Sequence, residues 1–518
     1  MRISLKDLLA VVLSGALTAL AFPRLSLSFL AWVSLIPLFF VLSRHTTGRS
    51  FILGSLGGLV FYGILLFWIP AVPAHYGNLS ATTGILIYLL LILLLSLFWG
   101  LFGLVFTRIG IRFRALAFIL APFLWIGMEY LLTFVLSGFP WGLLGYTQYR
   151  DLPLIQSATL AGVFGISFLL VLFQSLAVFS LRLKTPLPFF VGLGVVVTIH
   201  AAGLFSLSKV KPTAESFPAA VVQGNVSADI NWNLIEPKEA EALFDRHLNL
   251  TRAALKDGAR FVVWPEFSIP LCFSCPDPYY QDNKAKLVHL TRTSGATLVL
   301  GSVETGGTED APRYFNSALS LSPDGSVSQY AKMHLVPFGE YVPYSGVLSW
   351  VRNMTSAIGQ VSRGRDYVLH PYGNLEFASP ICYEIIFPDL VRKFVRDGAD
   401  FLVTITNDSW YGGSWAPRQH FAIAVLRAVE NRRFLLRAAT TGISGIVDPY
   451  GRILARSKLM TPAVLNGTVT PLRTKTLYTR YGDWLPLAGL TISFFFFMLA
   501  FLTRSHERQK RDGSRSII

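Results

Sequence analysis

Charge is scarce in this chain. Of its 518 residues only 14% are Asp, Glu, Lys or Arg, where a soluble domain carries roughly a quarter. With a mean hydropathy of +0.50, an ordinary water-soluble globule is excluded. Cysteine is scarcer still. Cys272, Cys275 and Cys382 are too few for a disulfide scaffold and odd in number, so at least one is left as a free thiol or pairs between chains. Zinc-finger spacing, a basic-leucine pattern and an aromatic RNA-binding motif are all lacking, so the net charge of +15 does not read as a nucleic-acid footprint. Internal repeats and low-complexity tracts are lacking too.

The excess charge has a location. Residues 1–206 and 483–518 carry 16 basic and 6 acidic residues, a net of +10, while 207–482 carry 29 and 24, a net of +5. Most of it therefore flanks apolar sequence. A membrane helix needs roughly 20 apolar residues, and eight stretches qualify as candidates: Leu8 to Phe22, Leu25 to Leu42, Phe51 to Val72, Gly84 to Phe106, Ala115 to Leu136, Leu160 to Leu181, Phe189 to Phe205 and Leu485 to Leu502. Arg2, Lys6 and Ala19-Leu20-Ala21 also suit a cleavable signal peptide, but the spans that follow at once favour retention of the first segment as an anchor. Basic residues accumulate in cytoplasmic loops. Alternate loops hold fourteen Lys or Arg against only Arg24 and Arg150 in the other set, which predicts both termini in the cytoplasm. The expected layout is a membrane domain of seven spans over 1–206, an extracytoplasmic (periplasmic) domain over 207–482, and an eighth span with a basic cytoplasmic tail over 483–518.

Residues 207–482 contain no long apolar run. Short β-rich runs (Ala219 to Gln223, Phe261 to Trp264, Thr297 to Gly301, Phe377 to Cys382, Phe401 to Ile405) alternate with helical spacing over Pro237 to Leu255, Pro388 to Arg396 and Pro417 to Leu436. This alternation predicts an α/β domain. Three ionisable residues sit at or beside the ends of predicted strands or turns, where such folds display reactive groups: Glu266, Lys332 and Cys382. Brought together they would supply a base, an oxyanion stabiliser and a nucleophile. Taken singly, each has a plainer reading. The cysteine could be core filler, the glutamate a turn carboxylate, and the lysine a solvated charge.

Four ordered motifs add what spacing does not. Trp264-Pro265-Glu266, the run Lys332-Met333-His334-Leu335-Val336-Pro337-Phe338-Gly339-Glu340-Tyr341-Val342-Pro343, Ile381-Cys382-Tyr383-Glu384 and Asn407-Asp408-Ser409-Trp410-Tyr411-Gly412 resemble the nitrilase, or carbon-nitrogen hydrolase, superfamily. With the eight spans, Gly138-Phe139-Pro140-Trp141, Gly145-Tyr146-Thr147-Gln148 and Gln419-His420, the chain is similar to that superfamily's membrane-bound apolipoprotein N-acyltransferase family. The resemblance implies an αββα sandwich carrying a Glu266-Lys332-Cys382 triad. It implies acyl transfer from a membrane phospholipid, through a thioester on Cys382, to the N-terminal amine of a diacylglyceryl-cysteine on an apolipoprotein. The implied partners are a phospholipid donor, a diacylated apolipoprotein acceptor and the lipid bilayer, with no nucleic acid and no cofactor. Glu340, Tyr383, Glu384 and Trp232 are supporting or substrate-binding candidates, and each could equally be structural.

Two further features stay open. Cys272-Phe273-Ser274-Cys275 could be a local disulfide, a pair of free thiols or a functional motif; no partner Cys or clustered His supports zinc. Glu129, an acid within the fifth span, marks either a function or a packing partner, with His200 one candidate. The competing functions are a membrane-tethered nitrilase-like amidase acting on a small amide or nitrile, and an eight-span transporter whose outer domain only binds ligand.

Overall fold

A computed structural model describes residues 3–76, 80–208, 216–227, 235–267, 272–308, 311–341 and 361–515. The chain divides into two compact units, one formed by Met1–Phe67, Leu86–Ser208 and Asp483–Ile518, the other by Trp68–Ile85 and Lys209–Gly482.

Among the described residues six helices are long and apolar enough to cross a membrane: Thr47–Leu65, Ala81–Arg112, Arg114–Leu131, Ala158–Leu183, Leu187–Ser208 and Trp484–Leu502. The other two expected spans are shorter. The first is a 16-residue helix, Leu5–Leu20, and the second divides into a 3-10 turn, Ser28–Trp32, and a helix, Ile36–Leu42. Pro37 in the first turn of that helix has no N–H to continue a hydrogen-bond ladder from the preceding turn. The backbone groups freed at the break are taken up by Gln174, which accepts from Leu35 N–H at 2.6 Å and donates to the Ala31 carbonyl at 3.0 Å.

Glu129 does similar work. Its Oε1 accepts from Trp125 Nε1 at 3.0 Å and from the Leu144 backbone N–H at 2.7 Å. Leu144 belongs to a stretch built of 3-10 turns, Pro140–Gly142 and Leu144–Gln148, whose N–H groups have no helical partners four residues back. Ser167 accepts from Gly145 N–H at 2.9 Å in the same stretch. His200 is not the partner of Glu129: its Nε2 lies 3.1 Å from Asp151 Oδ2.

The second unit holds twelve strands among the described residues: β1 Phe217–Gln223, β2 Phe261–Val263, β3 Thr297–Thr308, β4 Ala311–Leu321, β5 Val327–Ala331, β6 His370–Tyr372, β7 Leu375–Ala378, β8 Phe401–Thr406, β9 Leu435–Ala439, β10 Gly445–Val447, β11 Ile453–Arg456 and β12 Ala463–Val469. They form two six-stranded sheets, ordered β12-β1-β2-β3-β4-β5 and β11-β10-β9-β8-β7-β6. Each has a parallel trio, β1-β2-β3 or β7-β8-β9, extended by antiparallel strands. The trios are buried on both faces, which is why they read as continuous apolar runs rather than as alternating ones.

Side-chain alternation assigns the two faces. Ala220, Val222, Val262, Trp264, Leu298 and Leu300 form a core with Phe244 and Leu248 of helix Pro237–Lys256 and Leu287 of helix Pro278–Ser294. Phe217 and Phe261 point the other way and meet the second sheet, with ring centroids 5.2 Å from Phe217 to Phe401 and 5.1 Å from Phe261 to Phe377. Helix Ala416–Asn431 lies on the outer side of that sheet, against β9 and beside helix Pro388–Asp397. The layers run helix, sheet, sheet, helix. The helix expected over Pro417 to Leu436 stops at Asn431, because Arg432 turns left-handed (φ 51°) and the apolar run from Leu435 pairs between β8 and β10 instead.

Replacing Glu129 with Ala leaves the Leu144 N–H and the Trp125 indole unpaired in the interior, a cost of about 1–3 kcal/mol. Glu129→Ala is expected to lower the unfolding temperature of the full chain in detergent and Glu129→Gln, which keeps one acceptor oxygen, to lower it less. An Ala variant as stable as the native protein contradicts the packing role.

Candidate active site

Four strand ends converge. Glu266 follows β2 by three residues and Lys332 follows β5 directly, both from the first sheet; Cys382 follows β7 by four residues and Asn407 follows β8 directly, both from the second. Gly301 of β3 lets the Glu266 turn come close, since a Cβ there would sit 2.8 Å from the Glu266 Cα.

Lys332 is the electrostatic centre. Only 1% exposed, its Nζ donates to Glu340 Oε1 at 2.8 Å and to Glu266 Oε1 at 3.2 Å. Asn316 Nδ2 donates to the same two oxygens, at 2.7 Å to Glu266 and 2.9 Å to Glu340. The remaining oxygens also have donors: Asn407 N–H reaches Glu266 Oε2 at 2.7 Å, and Val336 N–H reaches Glu340 Oε2 at 2.8 Å. Burial alone would pull the Lys332 ammonium down, but the charges of Glu266 and Glu340 outweigh it and hold the group above the ordinary lysine range.

Cys382 opens a 3-10 turn, Cys382–Ile386, with φ +50°, a left-handed conformation that costs a residue with a Cβ roughly 1–2 kcal/mol. Its thiol is buried. Burial and the nearby charge of Glu266 push the thiol well above its usual range, with Lys332 pulling the other way. A thiol held up in this way reacts as a nucleophile only where a neighbouring base takes its proton.

Glu384 does not touch this cluster. Its Oε1 accepts from Tyr330 Oη at 2.8 Å, Met333 N–H at 2.7 Å and His334 N–H at 2.9 Å, and its Oε2 accepts from Ile381 N–H at 2.7 Å. It clamps the residues after Lys332 to the residue before Cys382. Burial pushes this carboxyl up, against those donors. Tyr383 packs its ring near His334 and Phe387, at centroid distances of 5.8 and 5.2 Å. Trp232 lies outside the described residues. Cys272 and Cys275 are joined in a disulfide, one of the readings left open by the sequence, and Cys382 is the free cysteine.

Sequence reasoning missed Asn316. Asn316 is buried in a strand that also carries Arg313, Ser317 and Ser320, so its local sequence does not mark it out, although a buried amide needs a partner to be tolerated. The Asn407 backbone contact leaves no signal, since any residue type supplies an N–H.

The profile described as Carbon-nitrogen hydrolase matches residues 218–477, and that described as Apolipoprotein N-acyltransferase N-terminal domain matches 14–176. Three relatives are each named Apolipoprotein N-acyltransferase. That of Geobacter metallireducens is 38% identical and covers 94% of this chain and 94% of its own; that of Photobacterium profundum is 32% identical, covering 93% and 92%. That of Azotobacter vinelandii is 34% identical, covering 94% and 93%. Among solved structures, an amidase from Nesterenkonia sp. is 19% identical over 53% of this chain and 96% of its own, with a TM-score of 0.36.

Glu384→Gln turns an amide NH2 toward a backbone donor, either Ile381 N–H or the group around Met333, and leaves that donor unpaired at a cost of about 1–3 kcal/mol. Lower thermal stability of the full chain in detergent is expected; a Gln variant as stable as the native protein removes the clamp.

Proposed function

Because the chain belongs to the apolipoprotein N-acyltransferase family, we propose that it moves an acyl chain from a membrane phospholipid to the N-terminal amine of a diacylglyceryl-cysteine on an apolipoprotein. The observation that carries the chemistry is the buried Glu266–Lys332–Glu340 cluster beside a buried, left-handed Cys382. In the first step Glu266 takes the Sγ proton as Sγ bonds to the ester carbonyl carbon. Lys332 Nζ and the Tyr383 backbone N–H stabilise the oxyanion. The bond from carbon to the glycerol oxygen then breaks, Glu266 returns the proton to that oxygen, and lysophospholipid departs, leaving a thioester on Cys382.

In the second step the lipoprotein amine attacks the thioester carbonyl. Glu266 accepts a proton from the nitrogen, the C–S bond breaks, the sulfur is reprotonated and the new bond is an amide. Glu340 keeps the ammonium fixed while Glu266 shuttles protons, so that Lys332 never faces a neutralised partner alone. Glu384, Tyr383 and Trp232 act around this centre as structural or substrate-contacting groups.

Membership of relatives that match both halves of the chain favours acyl transfer over a tethered amidase. Both acyl-bearing substrates remain in the bilayer, which supplies a role for the apolar helices beyond tethering. The basic-loop asymmetry supports the bacterial inner membrane with both termini cytoplasmic and the catalytic unit on the periplasmic side.

The purified chain, incubated with phospholipid and a diacylated lipopeptide, is expected to add the mass of one acyl group to the peptide and to carry a transient acyl adduct on Cys382. Cys382→Ala should abolish both. An acyl adduct that persists in this variant, or a folded, lipid-replete enzyme that leaves the peptide unchanged, overturns the reading.

A further inference from the structure

Behind Cys382 lies a second buried charged cluster that the mechanism above does not use. Its members are Asp408, His420 and Arg437, each fully buried. Arg437 Nη2 donates to Asp408 Oδ2 at 2.8 Å and lies 3.0 Å from His420 Nδ1. Asp408 Oδ1 lies 3.0 Å from the same Nδ1 and accepts from Thr406 Oγ1 at 3.0 Å. The other imidazole nitrogen, His420 Nε2, is 3.2 Å from the backbone carbonyl oxygen of Cys382. The cluster thus ends on the nucleophile's own peptide group.

A carbonyl oxygen can only accept, so Nε2 carries a proton. This holds in both charge states. In a neutral ring Nδ1 takes the Arg437 N–H, and in an imidazolium Nδ1–H donates to Asp408. Burial and the Arg437 guanidinium lower the His420 pKa, with Asp408 opposing, while Arg437 holds the Asp408 carboxyl down at about 2 despite burial. The ring is therefore braced at one nitrogen by a fixed ion pair and presents a fixed donor at the other.

The peptide unit joining Cys382 to Tyr383 is planar, with its N–H directed opposite to its C=O. Fixing the Cys382 carbonyl therefore fixes the direction of the Tyr383 N–H. A left-handed residue needs such restraint, because its surroundings must over-determine a conformation it would otherwise leave. Glu384 anchors the Pro380–Ile381 peptide through Ile381 N–H at 2.7 Å, and His420 anchors the chain on the far side of Cys382. The geometry points to His420, braced by Asp408 and Arg437, as a positioning residue that aims the Tyr383 N–H at the oxyanion formed during acyl transfer. The inference rests on the acyl-transfer reading of Cys382, and it concerns the oxyanion donor rather than the reactivity of the sulfur.

That distinction supplies the test. Alkylation of Cys382 by iodoacetamide is a displacement at a CH2 carbon; the C–S bond forms, iodide leaves and no oxyanion appears. Acylation by phospholipid does pass through an oxyanion. In the full chain in detergent, His420→Ala is expected to slow Cys382 acylation by about 10²-fold, the scale of losing one oxyanion donor, with the half-saturating phospholipid concentration and the iodoacetamide rate within about threefold of the native values. His420→Gln, whose amide N–H reaches the Nε2 position, is expected to recover at least tenfold of the loss, and His420→Asn, whose amide matches Nδ1, to recover little. If the Ala variant does not fold, the Gln and Asn pair decides the same question. Equal loss of acylation and alkylation, acylation at the native rate in His420→Ala, or equal acylation by the Gln and Asn variants overturns the inference alone. A native enzyme that forms no acyl adduct overturns the acyl-transfer reading and the inference with it.

Discussion

The second unit is organised around one buried ammonium. Lys332, 1% exposed, survives out of water because Glu266 and Glu340 both face its Nζ within 3.2 Å. Desolvating an isolated charge costs several kcal/mol, and removal of one partner from a buried pair costs about 3–5 kcal/mol. The surrounding structure follows from that constraint. Asn316 bridges the two acids, the Asn407 and Val336 N–H groups occupy their outer oxygens, and the strand ends must arrive in register for all of these bonds to form together.

The same constraint sets the chemistry. Burial first and the Glu266 charge second push the Cys382 thiol up, with Lys332 opposing, so the proposed reaction has a carboxylate take its proton. In the proposed acyl transfer the negative charge moves onto the substrate carbonyl oxygen, where Lys332 and backbone donors would meet it, rather than staying on sulfur. Two anchors hold the strained turn at Cys382: Glu384 before it and His420, on the Cys382 carbonyl, after it. Both sheets contribute, so the site exists only when the sandwich is closed by its aromatic seam of Phe217, Phe261, Phe377 and Phe401.

The first unit solves a different problem with similar means. Its chain departs from α-helix near Pro37 and over Pro140–Gly142 and Leu144–Gln148, and each departure frees backbone groups that lipid cannot satisfy. Gln174, Glu129 and Ser167 supply the missing partners from neighbouring helices. Polar side chains in apolar helices here mark places where the backbone needs help, which is how the acid in the fifth span is accounted for.

Much of this was legible in the sequence. Apolar length and composition located the membrane helices, since the hydrophobic effect acts on each segment separately. First-turn prolines opened helices at Pro237 and Pro388, and the β-rich runs at Phe261 and Phe401 became strands. The split of the second apolar stretch, the strand at Leu435 and the true partner of His200 were not legible. Each depends on which neighbour competes for the same groups. The ordered motifs named Glu266, Lys332 and Cys382, but local spacing carried no information that the glutamate and lysine touch across 66 residues of sequence. The sequence by itself determined which groups the chain possesses and which elements carry them. Only the tertiary structure decided that Asn316 and Glu340 stand around the ammonium and His420 against the Cys382 carbonyl, because those contacts are set by the pairing and register of distant strands, and no interaction within a single segment specifies them.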